Sequence, residues 1–157
     1  MTLLYLLRHA HAETAASGQS DAERSLSEHG QAEADAAGQH FIALPRPERV
    51  LCSPARRARE TAERVLAVLG YIDTRHEPRI YEATPGDLID VLDENAEAGS
   101  VLLVGHNPGL ERLVALLSTG QSGLNRGMSP ASLATLELPD GVSIEPGCAR
   151  LTAFWSP

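Results

Sequence analysis

Three short apolar runs constrain the fold of this chain more than any other feature of its sequence. They occupy residues 3–7, 50–52 and 101–104, and none shows the polar alternation of a half-exposed strand. Continuous apolar runs of this length, bounded by turn residues, are typical of strands that are buried on both faces in a parallel sheet. We therefore expect a parallel sheet with helices on both sides.

Helical patterns separate these runs, and each begins at residues that commonly cap or open a helix. The four starts are Ser27, Ser53-Pro54, Pro85 and Asn107-Pro108. Segments 132–138 and 150–155 are predicted as two late strands that pair antiparallel. Strands that alternate with helices predict an α/β fold, here a three-layer α/β/α sandwich with a mostly parallel central sheet.

The length and composition fit a single globular domain. The chain has 157 residues, of which 43% are hydrophobic and 22% are charged, so we expect one domain spanning residues 1–157. Acidic residues outnumber basic residues by 21 to 13, which gives a formal net charge of −8. This balance argues against nucleic acid as a partner, although a local basic pocket is compatible with it.

No segment of the sequence predicts export or insertion into a membrane. The first apolar run is too short for a secretory leader, and Arg8 and His9 interrupt it. No stretch approaches the roughly 20 apolar residues that a membrane helix needs. Cys52 and Cys148 set no disulfide framework. We therefore expect a cytoplasmic protein without a membrane partner.

Polar residues follow each of the three apolar runs, at the point where each strand ends. Arg8 and His9 follow the first run, a segment containing Arg57 follows the second, and His106 follows the third. Ligands of open α/β sheets bind beyond the carboxyl ends of the strands, and arginines with helix N-termini favour anions. The sequence therefore predicts a phosphate pocket whose histidine either binds the anion or attacks phosphorus, without a metal or other cofactor.

The same segments resemble the motifs of the histidine phosphatase superfamily, which is also called phosphoglycerate mutase-like. Residues 7–10, Leu-Arg-His-Ala, resemble its Arg-His-Gly signature. Residues 53–61 resemble Ser-Pro-x-x-Arg-Ala-x-x-Thr, and residues 105–108, Gly-His-Asn-Pro, resemble the later histidine motif. Residues 21–30 look like the Asp-x-x-Arg-x-Leu-Ser-x-x-Gly segment of the small SixA-type phosphohistidine phosphatases. The resemblance extends from residue 4 to about residue 138.

The resemblance implies roles for individual residues. His9 would be the nucleophile and would carry a transient phosphohistidine. Arg8 and Arg57 would hold the phosphoryl oxygens, and His106 would complete the pocket. Many members of the superfamily also have an acidic proton donor after the middle of the chain, and Glu82 is the nearest match. An imidazole leaving group can depart without such a donor.

Two positions have two possible interpretations, and a third departs from the family pattern. Arg24 is either a surface residue or a third phosphate contact. Asn107 is a helix cap, and its side chain could also face the pocket. Ala10 stands where the signature has glycine, and its methyl group would crowd a backbone N–H contact to the phosphate.

These implications favour a phosphohistidine phosphatase that acts on a phosphorylated histidine of a protein, for example a phosphotransfer or signalling protein. The short chain leaves little length for insertions that would cover the site, which suits a protein substrate. A small-molecule phosphomonoesterase of the same superfamily and a non-catalytic phosphoprotein-binding module are alternatives. The His-x-His spacing of His9 and His11 leaves a metallohydrolase as a further alternative.

Overall fold

The computed structural model describes residues 1–157, which form one six-stranded sheet and four helices. The strands are β1 (Leu3–Arg8), β2 (Arg49–Cys52), β3 (Asp73–His76), β4 (Ser100–Gly105), β5 (Leu133–Glu137) and β6 (Arg150–Trp155). The helices are α1 (Glu28–Phe41), α2 (Arg56–Leu69), α3 (Pro85–Asp93) and α4 (Gly109–Thr119). Short 3-10 turns occupy Asp21–Glu23 and Pro78–Ile80. None of the four helices combines the length and the apolarity needed to cross a bilayer.

The strand order of the sheet is β3-β2-β4-β1-β5-β6. The four strands from β3 to β1 run parallel, whereas β5 is antiparallel to both β1 and β6. The sheet is therefore mostly parallel, and its last two strands form the antiparallel pair that the sequence predicts. Because β1, β2 and β4 are parallel neighbours, their carboxyl ends lie at one edge of the sheet.

Helices cover both faces of this sheet. Along β1, Leu4 and Leu6 belong to the core formed with α3 and α4, whereas Tyr5 and Leu7 belong to the core formed with α1 and α2. All four side chains are fully buried, and burying each contributes on the order of 2 kcal/mol. The absence of polar alternation in this run thus reflects two apolar faces, and the three-layer α/β/α sandwich is confirmed.

The element boundaries differ from the sequence prediction at three places. The prediction that α2 begins at Ser53-Pro54 is wrong, because the Ser53 hydroxyl accepts the N–H of Ala55 at 3.2 Å and the helix begins only at Arg56. Helix α4 similarly begins at Gly109, one residue after the predicted Asn107-Pro108 pair. Strand β3 was missed, since its sequence Asp-Thr-Arg-His carries no apolar signal and the strand forms an edge of the sheet.

Candidate active site

The polar residues that follow β1, β2 and β4 meet at one edge of the sheet. Backbone hydrogen bonds continue the ladders beyond the strands: the His9 N–H donates to Gly105 O at 3.0 Å, and the Ser53 N–H donates to Val104 O at 3.1 Å. The ring centroids of His9 and His106 are 5.1 Å apart. Two histidines that are 97 positions apart in the sequence therefore become neighbours through the order of the strands.

His9 is held in a single tautomer by two groups with fixed hydrogen-bonding roles. Its Nδ1 lies 2.7 Å from the carbonyl oxygen of Ala10, and the Nε–H of Arg57 points to its Nε2 at 3.4 Å. A carbonyl only accepts and a guanidinium only donates, so the ring proton is on Nδ1 and the lone pair on Nε2 faces Arg57. The ring is 9% exposed.

The surroundings of His9 keep its ring neutral. Burial is the main cause that lowers its pKa from the ordinary 6.5 to about 4; the nearby Arg57 and Arg8 act in the same direction, and the hydrogen bond to Ala10 opposes the shift. Desolvation disfavours the charged form of an imidazole, and neighbouring cations act in the same direction. At neutral pH, Nε2 therefore carries no proton, so its lone pair can attack phosphorus once Arg57 has moved aside.

Arg57 is almost completely buried and is surrounded by acceptors. Besides the contact with His9, its Nη1 donates to the carbonyl oxygen of Asp21 at 2.8 Å and its Nη2 donates to the Asp21 carboxylate at 3.0 Å. The same carboxylate accepts from the Tyr81 hydroxyl at 2.5 Å and from Arg24 at 3.0 Å. The hydrogen bond from Tyr81, together with those from Arg24 and Arg57, holds the pKa of Asp21 far below its usual range. Asp21 is therefore a carboxylate at working pH.

His106 is positioned by β4 and by the hydroxyl of Ser53. Its Nε2 lies 2.7 Å from Ser53 Oγ, which itself accepts the Ala55 N–H. A hydroxyl both donates and accepts, so this contact fits either tautomer of the His106 ring. Burial, followed by the nearby His9 and Arg57, lowers the pKa of His106 to about 3. The His106 ring is therefore neutral at neutral pH.

Two buried polar side-chain atoms of the chain have no hydrogen-bond partner, and both belong to the predicted site. They are Arg8 Nε and His106 Nδ1. Arg8 is otherwise anchored by a hydrogen bond from its Nη1 to Met128 O at 2.8 Å, and burial lowers its pKa. An unpaired buried donor costs about 1–3 kcal/mol, so such groups are rare and call for an explanation such as a ligand.

A cavity of about 410 Å³ opens beside Arg57 and His106. Glu82 and Asn107 also line it, whereas Arg8, His9 and Arg24 do not. The remaining lining residues are Asp21, Tyr81, Ala83, Thr84, Pro85, Pro108, Gly109 and Arg112. His9 lies next to Arg57 and His106, and these two residues line the cavity.

Glu82 stands at the wall of the cavity with an unusual backbone conformation. Its φ angle is 56°, in the left-handed region, and its exposed carboxylate makes no hydrogen bond or ion pair within the chain. A residue other than glycine adopts this conformation at a cost of about 1–2 kcal/mol, and such residues cluster at functional sites. The structure thus places a free carboxylate where the sequence analysis expects an acid.

The two residues with open interpretations occupy different places. Arg24 donates to Glu13 O at 2.7 Å and to Asp21 at 3.0 Å, so it supports Asp21 from outside the cavity. Asn107 lines the cavity, but Pro108 and not Asn107 is the N-cap of α4. The Asn107 Oδ1 accepts the N–H of Glu111 at 3.3 Å, and its Nδ2 donates to the Glu111 carboxylate at 3.0 Å and to Met128 O at 2.7 Å.

Ala10 does not crowd the cavity. Its N–H donates to Thr61 Oγ1 at 3.0 Å, and that hydroxyl donates to Arg57 O at 2.7 Å. Its methyl group packs in a small apolar cluster with Leu26, Ala34 and Ala131. The Ala10 N–H thus donates to a side chain of α2. It is therefore not available for the backbone contact to a phosphate that the glycine of the signature suggested.

Four residues that complete the site were not predicted from the sequence as site residues: Asp21, Ser53, Thr61 and Tyr81. A signal for three of them was present, because Asp21, Ser53 and Thr61 are conspicuous positions of the segments that resemble the family motifs. Tyr81 is the neighbour of Glu82 and has no such signal. Its contact with Asp21 spans 60 positions in the sequence and depends on the folded arrangement alone.

The His-x-His pair of His9 and His11 does not form a shared site. His9 faces Arg57 and His106, whereas Nδ1 of His11 lies 2.6 Å from Ser27 Oγ at the start of α1. No three His, Cys, Asp or Glu side chains of residues 1–157 are arranged to hold a metal ion. The two histidines whose spacing suggested a metallohydrolase therefore make separate local contacts.

The fold and this constellation define a phosphatase class, and comparison with known proteins agrees. The chain belongs to the histidine phosphatase superfamily: the sequence model of branch 1 of that superfamily matches residues 4–96. An uncharacterised protein of Mycobacterium tuberculosis is 35% identical over 153 residues, which cover 89% of this chain and 93% of the relative. The family resemblance of the motifs is confirmed.

Solved structures narrow the similarity to one type within the superfamily. A protein from Agrobacterium tumefaciens that is assigned as a phosphohistidine phosphatase SixA is 32% identical, with a TM-score of 0.86 over 99% of this chain and 98% of that one. The protein histidine phosphatase SixA in complex with tungstate is 26% identical, with a TM-score of 0.83 over 99% and 97% of the two chains. These neighbours support a phosphatase with a SixA-like structure.

Proposed function

We propose that this chain removes the phosphoryl group from a phosphorylated histidine of a protein, by way of a covalent phosphohistidine at His9. The observation that carries the proposal is the neutral, buried His9, whose Nε2 lone pair faces Arg57 beside the cavity. The likeness to SixA-type structures supports the choice of a phosphohistidine substrate. In this proposal, residues 1–157 act as one phosphatase domain without a metal ion.

In the first step, His9 Nε2 attacks phosphorus. The new N–P bond forms as the N–P bond of the substrate breaks, and the electron pair of the broken bond stays on the imidazole of the substrate. If that imidazole carries a proton on its other nitrogen, it leaves as a neutral ring and no proton transfer is needed. Arg57 and Arg8 Nε then provide donors for the phosphoryl oxygens, and His106 provides one when its ring proton is on Nδ1. Donors of this kind meet the main demand of phosphoryl transfer.

The Ala10 carbonyl contributes to this step through Nδ1 of His9. Phosphorylation of Nε2 leaves a positive charge on the ring, and the hydrogen bond from Nδ1–H to Ala10 O at 2.7 Å stabilises that charge. In the second step, water attacks the phosphoryl group and Nε2 departs with its electron pair. Water contributes its oxygen and both protons to the product, dihydrogen phosphate, and His9 returns to its neutral form.

Glu82 favours a second candidate function, the hydrolysis of small phosphate esters. An alkoxide leaving group requires a proton in the transition state, whereas a protonated imidazole does not. The exposed Glu82 carboxylate lines the cavity and has no partner within the chain, so it is available as the donor once it is protonated. The two candidates therefore differ in their dependence on Glu82.

Release of phosphate from three substrates tests these proposals: a carrier protein bearing phosphohistidine, a phosphoserine peptide and a small aryl phosphate. Wild type, His9→Ala and Glu82→Gln are compared in the presence of a chelator, with His29→Ala as a matched control because its exposed ring lies outside the site. We expect release from phosphohistidine to be lost in His9→Ala and retained in Glu82→Gln and His29→Ala.

Two results would contradict the leading proposal. Turnover of the phosphohistidine carrier protein by His9→Ala at the wild-type rate would rule out the covalent mechanism. Faster release from the aryl ester than from phosphohistidine, abolished by Glu82→Gln, would instead support the small-molecule phosphatase. Tight binding of phosphate without release from any substrate would favour the non-catalytic binding module.

A further inference from the structure

Arg57 is occupied by protein acceptors although it is the arginine that should receive the phosphoryl group. All three of its nitrogens donate: Nε to His9 Nε2 at 3.4 Å, Nη1 to Asp21 O at 2.8 Å and Nη2 to Asp21 Oδ2 at 3.0 Å. The side chain of Arg57 is 7% exposed, whereas that of Asp21 is 50% exposed. The site thus contains an anion of its own, the Asp21 carboxylate, at the arginine where the phosphoryl group is expected to bind.

We propose that Asp21 is a positioning residue that competes with the phosphoryl group for Arg57. Its carboxylate holds the guanidinium while the site is empty, gives way when phosphoryl oxygens arrive, and returns to promote release of phosphate. The inference rests on the proposed function, because it requires phosphate to bind at Arg57. It adds a residue that sets how tightly the product is held.

The geometry requires Arg57 to move during each turnover. The lone pair of His9 Nε2 faces Arg57 Nε at 3.4 Å, so a phosphorus atom that bonds to Nε2 has to enter this gap. The guanidinium must then turn away from Nε2 and offer its N–H groups to the phosphoryl oxygens. The bonds of Nη1 and Nη2 to Asp21 are the contacts that this rotation loosens.

Asp21 is suited to leave Arg57 without becoming unpaired. Its Oδ2 also accepts from the Tyr81 hydroxyl at 2.5 Å, and its Oδ1 accepts from Arg24 at 3.0 Å. Tyr81 lines the cavity and Arg24 lies outside it, and both hold the carboxylate nearby after Arg57 has rotated. A fixed negative charge then remains close to the bound phosphate and opposes it, which favours departure of the product.

Binding of inorganic phosphate to Asp21→Asn tests this inference. The variant keeps the shape of the side chain and removes its charge, so the Kd for phosphate measured by calorimetry should fall about tenfold, which corresponds to ~1.4 kcal/mol. Without phosphate, its melting temperature should lie below that of wild type, because the buried guanidinium has lost its counter-charge. Added phosphate should raise the melting temperature more in the variant than in wild type.

Two further variants separate competition from a general effect of losing a carboxylate. Asp35→Asn is the matched control, because Asp35 pairs with Arg64 at 2.9 Å between α1 and α2, and its Kd for phosphate should equal that of wild type. Tyr81→Phe keeps the charge of Asp21 and removes one of its other partners, so its Kd should not fall. If Asp21→Asn does not fold, Asp21→Ser removes the same charge and serves the same test.

The outcomes distinguish this inference from the proposed function. An unchanged or weaker Kd in Asp21→Asn, with wild type binding phosphate, would overturn the competition, since Asp21 would then only hold Arg57 in place. Failure of wild type to bind phosphate at all would overturn both, and Arg57→Ala would then leave the calorimetric signal unchanged.

Discussion

At the scale of single residues, the site is built from atoms that can only donate or only accept. The Ala10 carbonyl accepts and the Arg57 guanidinium donates, so the His9 ring has one tautomer compatible with both. Arg8 Nε and His106 Nδ1 are buried and have no hydrogen-bond partner. A phosphoryl oxygen supplies an acceptor for Arg8 Nε, and for His106 Nδ1 when that nitrogen carries the ring proton, which is why the residues of the site suit an anion.

The rings of His9 and His106 should stay neutral in solution well below pH 6.5. Burial is the main cause in both, and it lowers the pKa values to about 4 and about 3. NMR titration of the ring carbons, assigned with His9→Asn and His106→Asn, should therefore show almost no change between pH 7.5 and pH 5.5. An ordinary histidine is about nine-tenths protonated at pH 5.5, so a titration step centred near 6.5 for either ring would contradict the expectation.

The sequence predicts the residues that recur at fixed motif positions, and it does not predict the contacts among loops. His9 and His106 come together as expected because they directly follow β1 and β4, which are neighbours in the sheet, and Arg57 joins them from the first turn of α2, the helix that follows β2. The Asp21–Tyr81 hydrogen bond joins a 3-10 turn to the segment before α3, and no local pattern encodes that pairing. Long-range contacts between irregular segments are fixed by packing, which only the folded chain displays.

At the scale of elements, α1 supports the loop that carries His9. The Ser27 N–H donates to His11 O at 3.0 Å, and an added Cβ at Gly30 would lie 1.9 Å from the same oxygen. The first turn of α1 therefore touches the backbone two residues beyond His9, and only glycine permits this approach. This contact gives a physical reason for the glycine in segment 21–30.

Gly30→Ala should destabilise the protein and disturb the site together. The methyl group would force α1 away from His11, at a cost of about 1–3 kcal/mol or more in unfolding free energy, and turnover should fall with it. Gly86→Ala is the matched control, because Gly86 lies in α3 and the nearest atom to its added Cβ is Thr84 Oγ1, 3.7 Å away. That variant should be neutral or slightly stabilised, since alanine favours a helix over glycine.

Urea unfolding of both variants, with phosphate release measured alongside, checks this prediction. Equal stability of Gly30→Ala and wild type would mean that α1 does not restrain the His9 loop.

At the same scale, the sequence predicted every strand except β3, because apolar runs indicate buried strands and the polar edge strand β3 is only partly buried. The start of α2 was misplaced because Ser53 bonds to His106 and Ala55 and does not cap the helix.

At the scale of the whole molecule, an acidic protein concentrates arginines at one place. The formal net charge is −8, yet Arg8, Arg24, Arg57 and Arg112 lie in or beside the site. Arg112 lines the cavity and its side chain makes no hydrogen bond or ion pair within the chain, so its charge is available to a substrate. Local clustering of cations inside an acidic surface focuses attraction for anions on the cavity.

The free energy of unfolding should decrease as the pH falls from 7.5 to 5. His9 and His106 are neutral in the folded state, with pKa values of about 4 and about 3, and they take up protons near the ordinary 6.5 once unfolded. Their contribution is thus complete above pH 6.5 and is lost as the pH falls toward the folded values. The expected loss is about 2 kcal/mol for each ring by pH 5.

Urea unfolding in phosphate-free buffer at both pH values measures this loss. The double variant His9→Asn, His106→Asn has no ring to protonate, and its stability should change far less between pH 7.5 and pH 5. If the free energy of unfolding changed with pH in the same way in wild type and the double variant, protonation of the two rings would not be the cause of the loss.

The hydrogen bond from His9 to the Ala10 carbonyl has a consequence for how the chain tolerates mutation. Many catalytic histidines are oriented by a side-chain carboxylate, which a single codon change can remove. Here the acceptor is a main-chain oxygen, and every amino acid at position 10 supplies the same one. Random mutagenesis of the rest of the chain should therefore find no position where a change of side chain reverses the tautomer of the His9 ring. The orientation of His9 therefore depends on the path of the backbone, and it is kept as long as the fold is kept.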